Sequence, residues 1–181
     1  MTQGLLRSRT FKAALLVLLA ANTVYFTVFG TAAKGIDAFA WLTLLVLFDM
    51  ETAYKDRSRS RAAQLAVRAA RLVAGAGVLA ATIGYVFAED TLDALNAGLW
   101  IAVVVLLEME LRWPALIARR RAAFNSAAVL LFGGLALLVV LWAASGMWLD
   151  AYDAVLWLVA FAAIELDLTR RSAASPQGAR S

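Results

Sequence analysis

Six long runs without a charged residue dominate this chain of 181 residues. The runs cover residues 13–33, 38–48, 72–88, 94–107, 122–149 and 154–164. A helix needs about 20 residues to cross the hydrocarbon core of a bilayer. The first, third and fifth runs reach or nearly reach that length, and the others reach it only if the acidic residues that end them lie within the membrane. Hydrophobic residues make up 63% of the chain, against about 45–50% in a typical soluble domain, so lipid is the expected solvent.

The sequence therefore predicts an all-α, polytopic membrane protein with six transmembrane helices. Their predicted bounds are 11–32, 35–55, 66–88, 92–112, 122–146 and 149–169. We expect residues 1–171 to form a single membrane domain and residues 172–181, which are mostly small and polar, to form a disordered tail. The first helix also fits the pattern of a secretory signal, but its apolar run is longer than usual, so we expect it to be retained.

Basic residues are concentrated in alternate loops. Sixteen of the 17 lysines and arginines fall in the N-terminal segment, the second loop, the fourth loop and the tail, whereas the other three loops contain only Lys34. Basic loops remain in the cytoplasm. The predicted topology is a multi-pass protein of the inner (plasma) membrane with both termini in the cytoplasm. Because the basic residues lie in short loops between apolar runs, the expected partner is the lipid bilayer and not nucleic acid.

Three tryptophans mark an internal repeat. Trp41, Trp100 and Trp157 are spaced 59 and 57 residues apart. Four residues before them lie, in order, Asp37, Asn96 and Asp153. Eight and ten residues after each tryptophan lie two acidic residues: Asp49 and Glu51, Glu108 and Glu110, and Glu165 and Asp167. The repeats cover about 7–56, 66–113 and 120–169, and each enters and leaves on the same side. Parallel repeats of this kind predict a pseudo-threefold bundle of three helical hairpins.

The tryptophans and the polar residues four positions before them have ordinary structural explanations. Tryptophan is common at membrane interfaces. An aspartate just before a helix can cap its first turn. We therefore expect these six residues to be a repeat signature with a structural role.

The acidic pairs near the ends of the helices are harder to explain. A carboxylate in a last helical turn opposes the helix dipole, and one within the membrane has to be paired, protonated, hydrated or metal-bound. One prediction is a ring of ion pairs that joins Asp49, Glu108 and Glu165 to basic residues at the starts of the odd-numbered helices, namely Arg9, Lys12, Arg68, Arg71 and Arg121. A second is an ion or proton site, or a substrate gate, formed by Glu51, Glu110 and Asp167. A third is an interface with a partner protein.

The chain has no histidine and no cysteine. Haem, iron–sulfur clusters, nearly all zinc sites and the usual bases and nucleophiles of hydrolysis are thereby excluded, so we expect no enzyme and no cofactor. A metal would need an all-oxygen site, which the sequence leaves open. Two functions remain. Repeated carboxylates favour a small transporter or channel for an ion, a proton or a small solute. Small size and few central polar residues favour an accessory or scaffolding subunit of a larger membrane complex, or a homo-oligomer.

Overall fold

The computed structural model describes residues 9–53 and 60–174, and these residues form seven helices and no strands. The helices are α1 (Arg9–Phe29), α2 (Ala32–Ala53), α3 (Arg61–Phe87), α4 (Thr91–Arg112), α5 (Pro114–Arg119), α6 (Arg121–Ala144) and α7 (Trp148–Ala174). The all-helical prediction is confirmed. The short helix α5 was not predicted. It begins with Pro114, a residue suited to the first helical position because no amide hydrogen bond is required there.

Two helix ends differ from the prediction by five residues, more than any of the others. α3 begins five residues earlier than expected, at Arg61, because the Ser60 hydroxyl caps it by accepting a hydrogen bond from the Ala63 amide at 3.2 Å. α7 continues to Ala174, three residues into the segment that was predicted to be disordered. Residues 175–181 of that segment lie outside the described residues.

Four helical segments in the described part of the chain are long and apolar enough to cross a membrane. They are Thr10–Phe29, Arg61–Phe87, Thr91–Glu110 and Arg121–Ala144. Many large apolar side chains face outward, and Phe29, Leu72 and Leu130 are 73%, 76% and 74% exposed. Such a surface suits contact with lipid or with another protein. The chain is thus compatible with a multi-pass membrane protein. Six spans were predicted, and four candidate spans are found among the described residues; α2 and α7 are not among the four.

The six long helices form a closed ring in chain order. α1 pairs with α2, α3 with α4, and α6 with α7, across short turns at residues 30–31, 88–90 and 145–147. The hairpins meet through contacts of α2 with α3, of α4 with α6, and of α7 with α1. We call the end that carries the three turns the turn end. The other end, where α1, α3 and α6 begin, is the arginine end.

Tryptophans from three helices meet inside this ring. The ring centroid of Trp41 lies 6.2 Å from that of Trp100 and 6.3 Å from that of Trp157. On the arginine side of these rings the bundle is filled by an apolar cluster that includes Leu19 and Val103, each 1% exposed. The tryptophan side chains of α2, α4 and α7 therefore meet at the centre of the ring, although these three helices are not neighbours around it.

Small residues bring α2 and α3 close together. A Cβ atom added at Gly77 would lie 3.3 Å from the Cβ of Ala40, and one added at Gly84 would lie 3.2 Å from the Cβ of Ala33. Both glycines lie on one face of α3, because seven residues are close to two helical turns. Small side chains on such a face allow two helices to pack tightly in a membrane.

Candidate functional site

A cavity of about 50 Å³ lies between the helices near the turn end. Most of its lining belongs to four sets of three residues. Within each set, the members lie at the same sequence distance from Trp41, Trp100 and Trp157.

The first set is an ion-paired triad at the mouth of the cavity, which is its side nearest the turn end. Lys34, Asp93 and Asp150 are each the third residue of their helix and lie seven residues before a tryptophan. The Lys34 Nζ lies 2.9 Å from Asp93 Oδ2 and donates a hydrogen bond to Asp150 Oδ1 at 2.5 Å. Their side chains are 16%, 9% and 17% exposed. One ammonium therefore joins α2, α4 and α7, although the sequence had placed Lys34 in a loop.

The second set comprises Asp37, Asn96 and Asp153, which the sequence had predicted as a repeat signature. Each is the sixth residue of its helix, so none of the three is the helix cap that the sequence suggested. The Tyr85 hydroxyl donates a hydrogen bond to Asp37 Oδ2 at 3.3 Å. The Asn22 amide donates one to Asp153 Oδ1 at 2.9 Å. Both bonds reach the carboxylate from the neighbouring hairpin, so they stabilise the contacts between hairpins.

The third set consists of the signature tryptophans, which form the floor of the cavity. Trp100 and Trp157 are 5% and 8% exposed. The Trp100 ring also packs on Phe161, with ring centroids 4.5 Å apart. These rings separate the polar cavity from the apolar cluster on the arginine side. The structure thus places them inside the bundle and not on its surface.

The fourth set is aromatic and comes from the first helix of each hairpin. Phe26, Tyr85 and Trp142 each lie fifteen residues before a signature tryptophan. All three are buried and line the cavity. The Lys34 Nζ lies 5.8 Å from the centroid of the Phe26 ring, within the range of a cation–π contact.

The cavity brings together four carboxylates and one ammonium: Asp37, Asp93, Asp150, Asp153 and Lys34. Lys34 is paired with two of the carboxylates, and the other two accept hydrogen bonds from neutral groups. If all five groups are charged, the lining has a net negative charge. A positively charged molecule is the ligand that such a lining favours, because desolvation makes uncompensated carboxylates costly.

Four side-chain atoms of cavity-lining residues are buried and have no hydrogen-bond partner among the described residues. One of them, Asp93 Oδ2, is ion-paired with Lys34, and the other three are Asp37 Oδ1, Asn96 Oδ1 and Trp142 Nε1. Trp142 is 2% exposed, which makes it one of the most deeply buried residues of the described chain. Buried polar atoms are normally satisfied by protein or by water. The cavity therefore suits water molecules or a polar ligand that can form these hydrogen bonds.

The acidic pairs that the sequence predicted as an ion-pair ring or a gate lie near the arginine end. Glu108 pairs with Arg112 of its own helix at 2.8 Å, and these side chains are 52% and 70% exposed. Asp49 and Glu110 are also exposed. The side chains of Glu51, Glu165 and Asp167 lie outside the described residues.

Of the basic partners predicted for these acids, Arg68, Arg71 and Arg121 are exposed and Lys12 is half-buried. The side chain of Arg9 lies outside the described residues. The ring of ion pairs and the gate at this end remain predictions.

Two of the four sets were missed in the sequence. Their signal was the constant distance of seven or fifteen residues from the signature tryptophans. Positions seven and four residues before a tryptophan share a helix face with it, so the ion-paired triad could have been predicted from helical spacing. The aromatic set lies across a turn, where helical spacing gives no guidance.

The described residues contain no group of three or more acidic side chains arranged to hold a metal ion. The sequence matches no protein-family model, and comparisons with curated proteins and with solved structures find no similar protein.

Proposed function

We propose that this is a six-span protein of the inner membrane that transports a proton or a small cation, with both termini in the cytoplasm. The observation that carries the proposal is the cavity between α2, α4 and α7, with its four carboxylates and single ammonium. Ionisable groups among apolar helices are costly, and they usually mark a pathway for ions or substrates.

The repeat supports the position of such a pathway. All four lining sets recur at constant distances from the tryptophans, as expected for positions around a pseudo-threefold axis. Two of the three turns are alike as well, since Glu89 and Gly146, eleven residues before Trp100 and Trp157, both have positive φ, at 56° and 79°, whereas Gly30 at the same distance from Trp41 does not. Transporters built from parallel repeats bind their substrates where the repeats meet.

The arginine end would supply the second half of the pathway. Glu110 lies ten residues beyond Trp100, or about 15 Å along α4. We propose that Glu51, Glu110 and Asp167 form the gate at that end. In the structure described here the tryptophans and the apolar cluster lie between the two ends, so transport requires these rings to move apart.

The apolar cluster beyond the tryptophans favours a second function, that of a scaffolding or accessory subunit. Leu19 and Val103 are almost fully buried directly beyond the tryptophans, and they offer no polar lining for an ion. A scaffolding or accessory subunit would need no pathway, and its polar cavity would serve only to join the three hairpins. The exposed apolar surface would then contact other subunits as well as lipid.

Reconstituted vesicles distinguish the two functions. We expect the wild-type protein to move protons, Na⁺ or K⁺ down an imposed gradient. The double variant Asp37→Asn/Asp153→Asn should lose at least about tenfold of this flux, because each change removes a negative charge from the cavity. Glu89→Gln is the matched control, since Glu89 is an exposed carboxylate at the turn end that does not line the cavity.

The gate is tested by Glu51→Gln/Glu110→Gln/Asp167→Asn in the same vesicles, with loss of flux expected. A wild-type protein that moves none of these ions under any gradient, and that co-purifies with a larger complex, would establish the scaffolding function in place of transport.

A further inference from the structure

We propose that the cavity binds a short primary alkylammonium ion, an inference that rests on the proposed cation function and specifies its ligand. The observations come from three parts of the cavity: the triad at its mouth, the unpaired oxygens within it and its aromatic walls.

The triad shows how this protein binds a primary ammonium. The Lys34 headgroup is held by two carboxylates and lies over an aromatic ring, 2.9 Å from Asp93, 2.5 Å from Asp150 and 5.8 Å from the Phe26 centroid. A lysine side chain ends in an alkylammonium group. The mouth of the cavity is thus an occupied site for this chemical group, with the ammonium supplied by the chain itself.

One helical turn deeper, a similar set of groups has no such occupant. Asp37 and Asp153 accept hydrogen bonds from the neutral donors Tyr85 and Asn22. Among the described residues, Lys34 is the one lysine or arginine that lines the cavity. The second oxygen of Asp37 and the amide oxygen of Asn96 have no hydrogen-bond partner in the described chain. These acceptors need hydrogen-bond donors, and a primary ammonium offers three together with a positive charge.

The walls suit an organic cation better than a bare metal ion. Six aromatic side chains line the cavity, namely Phe26, Trp41, Tyr85, Trp100, Trp142 and Trp157. Aromatic faces attract ammonium ions and also cover the alkyl part of such a ligand, with tryptophan the most effective. Hard metal ions instead require several oxygen ligands around them. The described residues offer no group of three acidic side chains for that purpose.

The volume limits the size of the ligand. A cavity of about 50 Å³ holds about three to five water-sized atoms, at about 10–15 Å³ each. Ethylammonium has three non-hydrogen atoms and leaves space for a water molecule. That water would provide an acceptor for the unpaired Trp142 Nε1. Tetraethylammonium is too large and has no N–H donor.

The test uses the purified full-length protein in detergent. Ethylammonium chloride is titrated while tryptophan fluorescence and the melting temperature are recorded, with NaCl, KCl and tetraethylammonium chloride at equal ionic strength. We expect a saturable fluorescence change and a higher melting temperature with ethylammonium only. Asp37→Asn should weaken binding about tenfold or more, because the charged acceptor is lost. Glu89→Gln should bind as the wild type does.

If Asp37→Asn does not fold, Trp41→Phe replaces it, and weaker binding is expected because phenylalanine attracts cations less strongly than tryptophan does. The inference is wrong if ethylammonium acts no differently from NaCl, or if the cavity variant that folds binds as tightly as wild type. Proton or K⁺ flux without ethylammonium binding would refute this inference and leave transport standing. Ethylammonium binding without flux of protons, Na⁺, K⁺ or ethylammonium itself would support the inference and refute transport.

Discussion

The two ends of the bundle use charge in opposite ways. At the turn end, Lys34 and its two carboxylates are at most 17% exposed, and they connect three different helices. At the arginine end, Glu108 and Arg112 belong to one helix and are 52% and 70% exposed. Pairs that are exposed and local contribute little to stability, whereas buried pairs between helices strongly affect it when one partner is lost. Of these two sites, we expect the one at the more basic end to contribute less to the free energy of unfolding. The number of charges at an end is thus a poor guide to how much those charges stabilise the fold.

The largest expected effect comes from removing the single cation of the triad. Lys34→Met leaves Asp93 and Asp150 buried without a counter-ion, and we expect a loss of about 3–5 kcal/mol in the free energy of unfolding. Thermal unfolding in detergent measures it. Neutralising the acids as well, in Lys34→Met/Asp93→Asn/Asp150→Asn, should restore part of the loss. An unchanged melting temperature for Lys34→Met would show that the turn end is no more dependent on its charges than the arginine end.

A smaller effect is expected from the close contact of α2 and α3. Gly84→Leu would place a side chain where a Cβ is already 3.2 Å from Ala33, and overpacking of this kind costs about 1–3 kcal/mol. Gly98→Leu is the control, because a Cβ there has no neighbour within 4 Å. The same thermal assay applies. Equal losses in the two variants would mean that this contact does not limit the stability of the turn end.

The smallest effect is expected at the arginine end. Glu108→Gln removes an exposed pair within one helix, and we expect a change of about 0–1 kcal/mol. Adding salt should reduce even this difference, since exposed charges are screened. A loss comparable to that of Lys34→Met would show that Glu108 takes part in the predicted ring of ion pairs, and the contrast between the ends would disappear.

The sequence predicted the helices and the signature residues well, because both depend on local spacing. Apolar runs defined six of the helices, and the distance between Trp41, Trp100 and Trp157 identified residues that meet at one cavity. The cavity itself was not predicted. Its ion pairs join residues as far apart as Lys34 and Asp150, and such partners depend on the order of helices around the ring, which spacing along one helix does not contain.

The same limit explains why the sequence predicted a functional site at the arginine end. Acidic residues in a last helical turn are unusual when a helix is considered alone, so they were the candidates that the sequence indicated. Asp93 and Asp150 lie in first turns, where an acid suits the helix dipole and looks ordinary. Their burial beside Lys34 becomes visible only when three helices are placed together.

The 116 residues between Lys34 and Asp150 also impose an order on the biosynthesis of the molecule. Ribosomes add about 5–20 residues per second, so the first hairpin exists for about 6–23 s before its last counter-ion is made. During that interval Lys34 has at most Asp93 as an acidic partner from the triad, and α1 has not yet met α7. The nascent chain therefore has to keep this lysine hydrated or shielded until the third hairpin is made, and a chain that ends before Asp150 would lack one of the two counter-ions of Lys34.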